Sequence, residues 1–133
     1  MLTLEPLLGK TIVGIGLDAT NEYIKFNTEQ ESFAFNALGD CCSESWINHI
    51  SGIETLIGNK VNKVDEIYIP DIERGENGHS ERQEVDKIYS YKIFTDKGMC
   101  EIEMRNSSNG YYGGALSQSM ELDVPVRIIT ENF

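Results

Sequence analysis

"GDCCSESWINHISGIETLIG", Gly39 to Gly58, is the stretch whose reading decides the fold class. Ser43 and Ser45 are helix-capping residue types, and Trp46, Ile47 and Ile50 then fall at the spacing of one helix face before Gly52 breaks the run. Ser51 and Glu54 read as a capping box ahead of Leu56 and Ile57, with Gly58 as the stop. The expectation is two short helices joined at a glycine. Asp40, just before the first, would favour the positive end of its dipole. In a functional reading Asp40 is an acceptor for a ligand's hydroxyl or amino groups, with Ser43 and neighbouring backbone N–H groups beside it.

Outward from this stretch the pattern changes to alternation. "KTIVGIGLD" (Lys10 to Asp18), "EYIKFNT" (Glu22 to Thr28) and "ESFAFNA" (Glu31 to Ala37) read as three strands of an antiparallel meander separated by turn residues. "KVNKVDEIYIP" becomes extended and is expected to end at Pro70, followed by a polar surface loop from Asp71 to Glu81. "QEVDKIYSYKIFTDKGMCEIEMR" is a long hairpin turning at Asp96 to Gly98. In it Tyr89, Tyr91 and Ile93 share one parity, and Cys100, Ile102 and Met104 share another on the return strand. The last 21 residues, Gly113 to Phe133, supply one or two strands interrupted at Pro125. The expected architecture is α+β, a twisted, mainly antiparallel sheet with the short helical pair packed on one face, in a single domain spanning 1–133.

The chain has 133 residues, 22 acids against 11 bases and a net charge of −11. Residues 1–66 carry 10 acids and 4 bases and residues 67–133 carry 12 and 7, so the sign is spread over the whole surface. Such a field repels nucleic acid and anionic membrane, and direct binding to either is not expected. No apolar run reaches membrane-spanning length, and "MLTLEPLLGK" has neither a basic start nor an unbroken apolar stretch. A cytoplasmic chain is expected, and an odd count of three cysteines fits free thiols in a reducing compartment.

Catalytic chemistry finds little support. Cys41 and Cys42 read as packing at a helix start, since adjacent cysteines bridge each other only under strain. The two histidines and three cysteines have no metal-ligand spacing, and no serine sits in a nucleophile elbow. Catalytic residues, metal and cofactor are all expected to be none. The more suggestive segment is "RNSSNGYYGG", Arg105 to Gly114, rich in glycine, amides and aromatics. Read as a ligand-contacting loop, it offers Arg105 to a phosphate, Asn106 and Asn109 to polar edges, and Tyr111 or Tyr112 to a base face. With Asp40 and Ser43 these residues are the candidate site, in one pocket or in halves completed across a homo-oligomer.

"GDCCSESWINHISGIETLIG" and "NSSNGYYGG", with the opening Leu8 to Ile12, resemble an uncharacterised family of small phage and bacterial domains with an Asp-Cys-Cys segment and a later Ser-Asn-Gly-Tyr-Tyr segment. The resemblance implies a phage-type, non-enzymatic binding protein acting by occupancy in the cytoplasm of a bacterial host. Two occupancy readings follow. One is an anti-defence sponge that sequesters a nucleotide-derived immune signalling molecule. The other is an acidic nucleic-acid mimic that inhibits a host immune protein such as a nuclease.

Overall fold

The structure, a computed structural model, describes residues 2–40, 42–73, 85–108 and 113–133, without the side chains of residues 70–73 and 85. The three alternating segments form β1 (Thr11–Leu17), β2 (Tyr23–Thr28) and β3 (Ser32–Gly39), hydrogen-bonded in order. Their turns come from side chains that substitute for ladder bonds. Asp18 Oδ1 accepts the N–H groups of Glu22 (2.9 Å) and Tyr23 (3.1 Å), while Thr28 Oγ1 donates to the Glu31 carbonyl (2.6 Å).

The expected helical pair is not there. Glu44–Ser51 is a strand, β4, and only a four-residue helix, α1 (Ile53–Leu56), follows it. Apart from α1, the only other helix among the described residues is a three-residue 3-10 turn at Glu5–Leu7, so the protein is nearly all-β rather than α+β. The reason is a β-bulge between Ile47 and His49. The extra residue shifts the inward parity, so Ser45 and Ile47 precede the bulge, Ile50 follows it, and all three are buried. A bulged strand thereby carries inward residues three apart and imitates helical spacing. The capping box does not form either, because Ser51 belongs to β4 and Gly52 itself starts α1 at φ +74. A Cβ there would run into the Met99 carbonyl, which makes glycine obligatory.

β5 (Asn59–Lys60) is a short bridge to β1. β6 (Lys63–Glu73) passes through Pro70 rather than ending there. Its register against β7 shifts between Ile69 and Ile72, and a bulge on an edge strand tolerates a residue without an N–H. The expected Asp71–Glu81 loop therefore begins inside a strand, and its remainder, 74–81, lies outside the described residues. β7 (Val85–Thr95) and β8 (Gly98–Ser108) make the long hairpin with the expected parities. β9 (Gly114–Ser119) and β10 (Arg127–Ile128) lie on either side of Pro125.

The strands form two sheets, one ordered β10-β1-β2-β3-β9 with β5 also on β1, the other β4-β8-β7-β6. One apolar cluster draws on both, including Ile12, Ile15, Phe26, Phe35, Ile47, Ile93 and Ile102. Phe26 meets Phe35 edge-on at 5.9 Å between centroids. No helix among the described residues is long and apolar enough to cross a membrane.

The topology also fixes a junction. The chain leaves the first sheet after β3 for β4, meets it again in the two-residue β5, and returns to it for β9 after β8. Because β3 pairs with β9 and β4 with β8, both crossings occur at the same end of the molecule.

Candidate functional site

At that junction Gly39 of β3 faces Gly114 of β9 as a register pair. Beneath them Asn106, fully buried on the inner face of β8, donates from Nδ2 to Ser43 Oγ (3.0 Å) and Ser45 Oγ (2.8 Å), and Ser45 Oγ donates to the Leu38 carbonyl (3.0 Å). A Cβ on Gly39 would lie 2.7 Å from Ser43 Oγ. One on Gly114 would overlap Ser45 Oγ and lie 2.6 Å from the Leu38 carbonyl. Two glycines are therefore required wherever this polar cluster is to fit between the sheets. Asn106 Oδ1 has no hydrogen-bond partner among the described residues.

Asp40 links the two crossings. Its N–H donates to the Gly113 carbonyl (2.9 Å) and its Oδ2 accepts the Gly113 N–H (3.2 Å). The Asp40 carbonyl accepts both the Ser43 N–H (3.0 Å) and the Ser43 hydroxyl (2.7 Å). A tight turn replaces the expected helix start, with Cys42 exposed at φ +72, a conformation costly for a residue with a Cβ. Cys42 is thus not buried packing, and Cys41 lies outside the described residues. Cys100 is buried in the core, where desolvation raises its thiol pKa to about 12.

Two clefts share the Gly114–Ala115 backbone. One, about 410 Å³, lies over Gly39, Asp40, Gly113 and Ser117. The other, about 250 Å³, is walled by Tyr68, Tyr89 and Tyr91 with Glu66 and Thr3 at its rim. Tyr68 stacks on Tyr89 at 4.9 Å with the rings 24° apart and remains half exposed. The tyrosines also cover the β9 edge: the Gly114 N–H donates to Tyr89 Oη (3.1 Å) and the Leu116 N–H to Tyr91 Oη (3.2 Å). Burial raises the pKa of both phenols, that of Tyr91 to about 12, so they are neutral acceptors at any ordinary pH. A third cleft, about 370 Å³, opens on the other side of the cluster past Ser43, Trp46 and the carboxylates of Glu22 and Glu44.

Of the residues singled out from the sequence, Asp40, Ser43 and Asn106 come together here. Arg105 does not join them. It leaves the opposite face of β8, where Nε donates to Glu103 Oε2 and Nη1 to Asp86 Oδ2, each at 3.1 Å. A polar chain continues across that face from the Trp46 indole N–H to Asn48 Oδ1 (3.1 Å) and from Asn48 Nδ2 to Glu103 Oε2 (2.7 Å). Asp86 is fully buried, so this pairing holds the guanidinium to a structural task. β8 itself extends to Ser108, which makes Arg105–Ser108 strand rather than loop. Asn109, Tyr111 and Tyr112 lie outside the described residues. Tyr68, Tyr89 and Glu66 were not singled out from the sequence. The signal was their parity, since strand alternation puts Glu66 and Tyr68 on the same face as the tyrosines of β7.

Residues 5–117 match a family described as a domain of unknown function, DUF7448. An uncharacterised protein of Acanthamoeba polyphaga mimivirus is 34% identical over 96 residues, which covers 70% of this chain and 72% of that protein. No solved structure matches. With its two crossings, their glycine pair and the strands between them falling almost wholly inside the matched span, the chain belongs to the DUF7448 family.

Proposed function

We propose that the protein is a non-enzymatic binder that sequesters a nucleoside-derived small molecule, with the joined clefts at Gly114–Ala115 as its site. The observation that carries this reading is the adjacency of an aromatic wall, Tyr68 on Tyr89, to the acceptors Asp40 and Glu66 across one strand of small residues. A base face stacks on Tyr68, while sugar hydroxyls or exocyclic amines donate to the carboxylates. The larger cleft, about 410 Å³, falls in the size range of small-molecule sites, and the tyrosine-walled one, about 250 Å³, extends it. The charged groups among their described lining residues are acids, and the chain is strongly anionic, so recognition rests on base and sugar rather than on phosphate. On this reading the biological role is that of an anti-defence sponge for a nucleotide signal.

Titration calorimetry with adenosine, a cyclic dinucleotide and inorganic phosphate tests the proposal. Binding of a base-bearing compound, lost in Tyr68→Ala, is the expected result. Binding of phosphate alone, or of none of the three at millimolar concentration, overturns it.

A further inference from the structure

On the inner face of the four-stranded sheet, Glu66 of β6 and Tyr91 of β7 are register partners, which sets their Cβ atoms about 5 Å apart. Both line the tyrosine-walled cleft. The Tyr91 hydroxyl accepts the Leu116 N–H (3.2 Å), but its own proton has no acceptor among the described residues, although only 4% of the residue is exposed. Desolvation raises this phenol's pKa most, and the nearby Glu66 carboxylate adds to the rise. That carboxylate makes no hydrogen bond or ion pair among the described residues. One buried donor therefore stands beside two carboxylate oxygens, and this wall of the cleft reads donor, acceptor, acceptor.

We propose that the base this site takes is guanine, with O6 on the Tyr91 hydroxyl and the N1–H and N2–H groups on the two Glu66 oxygens. The proposal rests on the ligand reading above and names its base. Guanine's pairing edge presents one acceptor followed by two donors, the complement of that wall. Adenine presents one acceptor and one donor, and cytosine one donor and two acceptors, so each engages one Glu66 oxygen and leaves the other without a partner from the base. Uracil sets a carbonyl on either side of its single N–H, and one of them meets the carboxylate. Guanine alone among the common bases uses all three positions.

A guanidinium, drawn by the net charge of −11, would also fit the carboxylate with two parallel N–H groups. It carries no acceptor, however, and would seal the Tyr91 proton into the cleft unpaired, which costs free energy that guanine does not have to meet. The phenol thus separates guanine from an arginine side chain, and the carboxylate separates it from the other bases. Tyr68, two residues from Glu66 on the same face of β6, is the ring beside which the base lies.

Titration calorimetry of the whole protein with guanosine, inosine, adenosine and methylguanidinium tests the choice of base. Inosine keeps O6 and N1–H and lacks only the N2 amine, so it should bind about tenfold or more weakly than guanosine, the loss of one charge-assisted hydrogen bond. Adenosine should be weaker by a similar factor, and methylguanidinium weaker than guanosine. Glu66→Gln replaces one acceptor by an amide donor that faces a donor of the base, so it should erase the preference for guanosine over inosine with unchanged circular dichroism. Tyr91→Phe discriminates less, because it also removes the acceptor of the Leu116 N–H. Inosine, adenosine or methylguanidinium binding as tightly as guanosine, or a preference that survives Glu66→Gln, overturns the guanine assignment and leaves the ligand site standing. Binding of none of the nucleosides at millimolar concentration removes the site and the assignment together. If Glu66→Gln does not fold, the ligand series on the parent protein decides.

Discussion

Arg105 and Asn106, adjacent in sequence, leave β8 on opposite faces: the guanidinium pairs with Asp86 and Glu103 outside the sandwich, and the carboxamide bridges Ser43 and Ser45 within it. Strand alternation makes this separation unavoidable. A segment that reads as one ligand loop is thus divided between a salt-bridge lattice and a buried junction, and the two residues should respond differently to mutation.

Arg105→Ala should destabilise the fold rather than act on a ligand. It leaves the fully buried Asp86 carboxylate without its cation, a change that costs about 3–5 kcal/mol. Urea denaturation should show the midpoint fall sharply, and Asp86→Leu combined with Arg105→Met should recover much of the loss. A variant as stable as the parent would show that the pair does not hold the sheet face.

Gly114→Ala tests the junction. The added methyl overlaps Ser45 Oγ and crowds the Leu38 carbonyl, so the β3–β9 ladder or the Asn106 cluster must shift, at a cost of about 1–3 kcal/mol. Ala115→Gly, one residue along at an exposed position, should cost less than about 1 kcal/mol. Equal effects on thermal unfolding would mean that the glycine pair is not under steric demand.

The β7–β8 hairpin and the inward parities of Tyr91, Ile93, Cys100, Ile102 and Met104 were legible in the sequence because two-residue alternation survives unbroken there, and the meander was legible from its turn residues although β1 carries a register shift between Ile12 and Gly14. β4 was not, because its bulge gives Ile47 and Ile50 a spacing shared with a helix, and no local feature tells the two apart. What resolves the ambiguity is long-range: β8 offers a hydrogen-bonding edge opposite Glu44–Ser51, and tertiary pairing outweighs a four-residue helical preference. For the candidate site, Asp40 and Ser43 were singled out as residues of a helix start, whereas the turn they form joins two strands. Tyr68 and Tyr89 were missed because a stacked pair requires knowledge of the β6–β7 register.

The thiols should separate by reactivity and by pH. Cys42 is exposed and should react with a thiol reagent in the native protein, whereas Cys100 should react only on unfolding. Burial raises the Cys100 thiol from about 9 to about 12, so the folded state retains a proton that the unfolded state releases between those values. Its stabilising contribution is complete below pH 9 and declines as pH rises toward 12, by about 1.4 kcal/mol per unit. Tyr91 adds to the loss above pH 10. Urea midpoints measured from pH 8 to 10.5 should fall, and Cys100→Ala should flatten the fall whatever its effect on the midpoint at pH 8. An unchanged slope would remove the thiol from the explanation.

Salt and Tyr68 together separate the two occupancy readings. A sponge that holds its ligand by stacking and short hydrogen bonds should lose about 1–3 kcal/mol of affinity in Tyr68→Ala, the range for a base on an aromatic face, and should change little between 50 and 300 mM salt. An inhibitor that presents its acids to a basic effector should behave in the opposite way, because its attraction is long-range and screened, while Tyr68 is one half-exposed ring among many contacts. Asp40→Asn adds a second reading on the cleft, removing charge while preserving an acceptor for the Gly113 N–H. Under the sponge account it should weaken a ligand that donates to the carboxylate, with the fold intact by circular dichroism. Capture of a basic host protein whose binding collapses with salt and ignores both Tyr68→Ala and Asp40→Asn would transfer the function from the cleft to the surface charge.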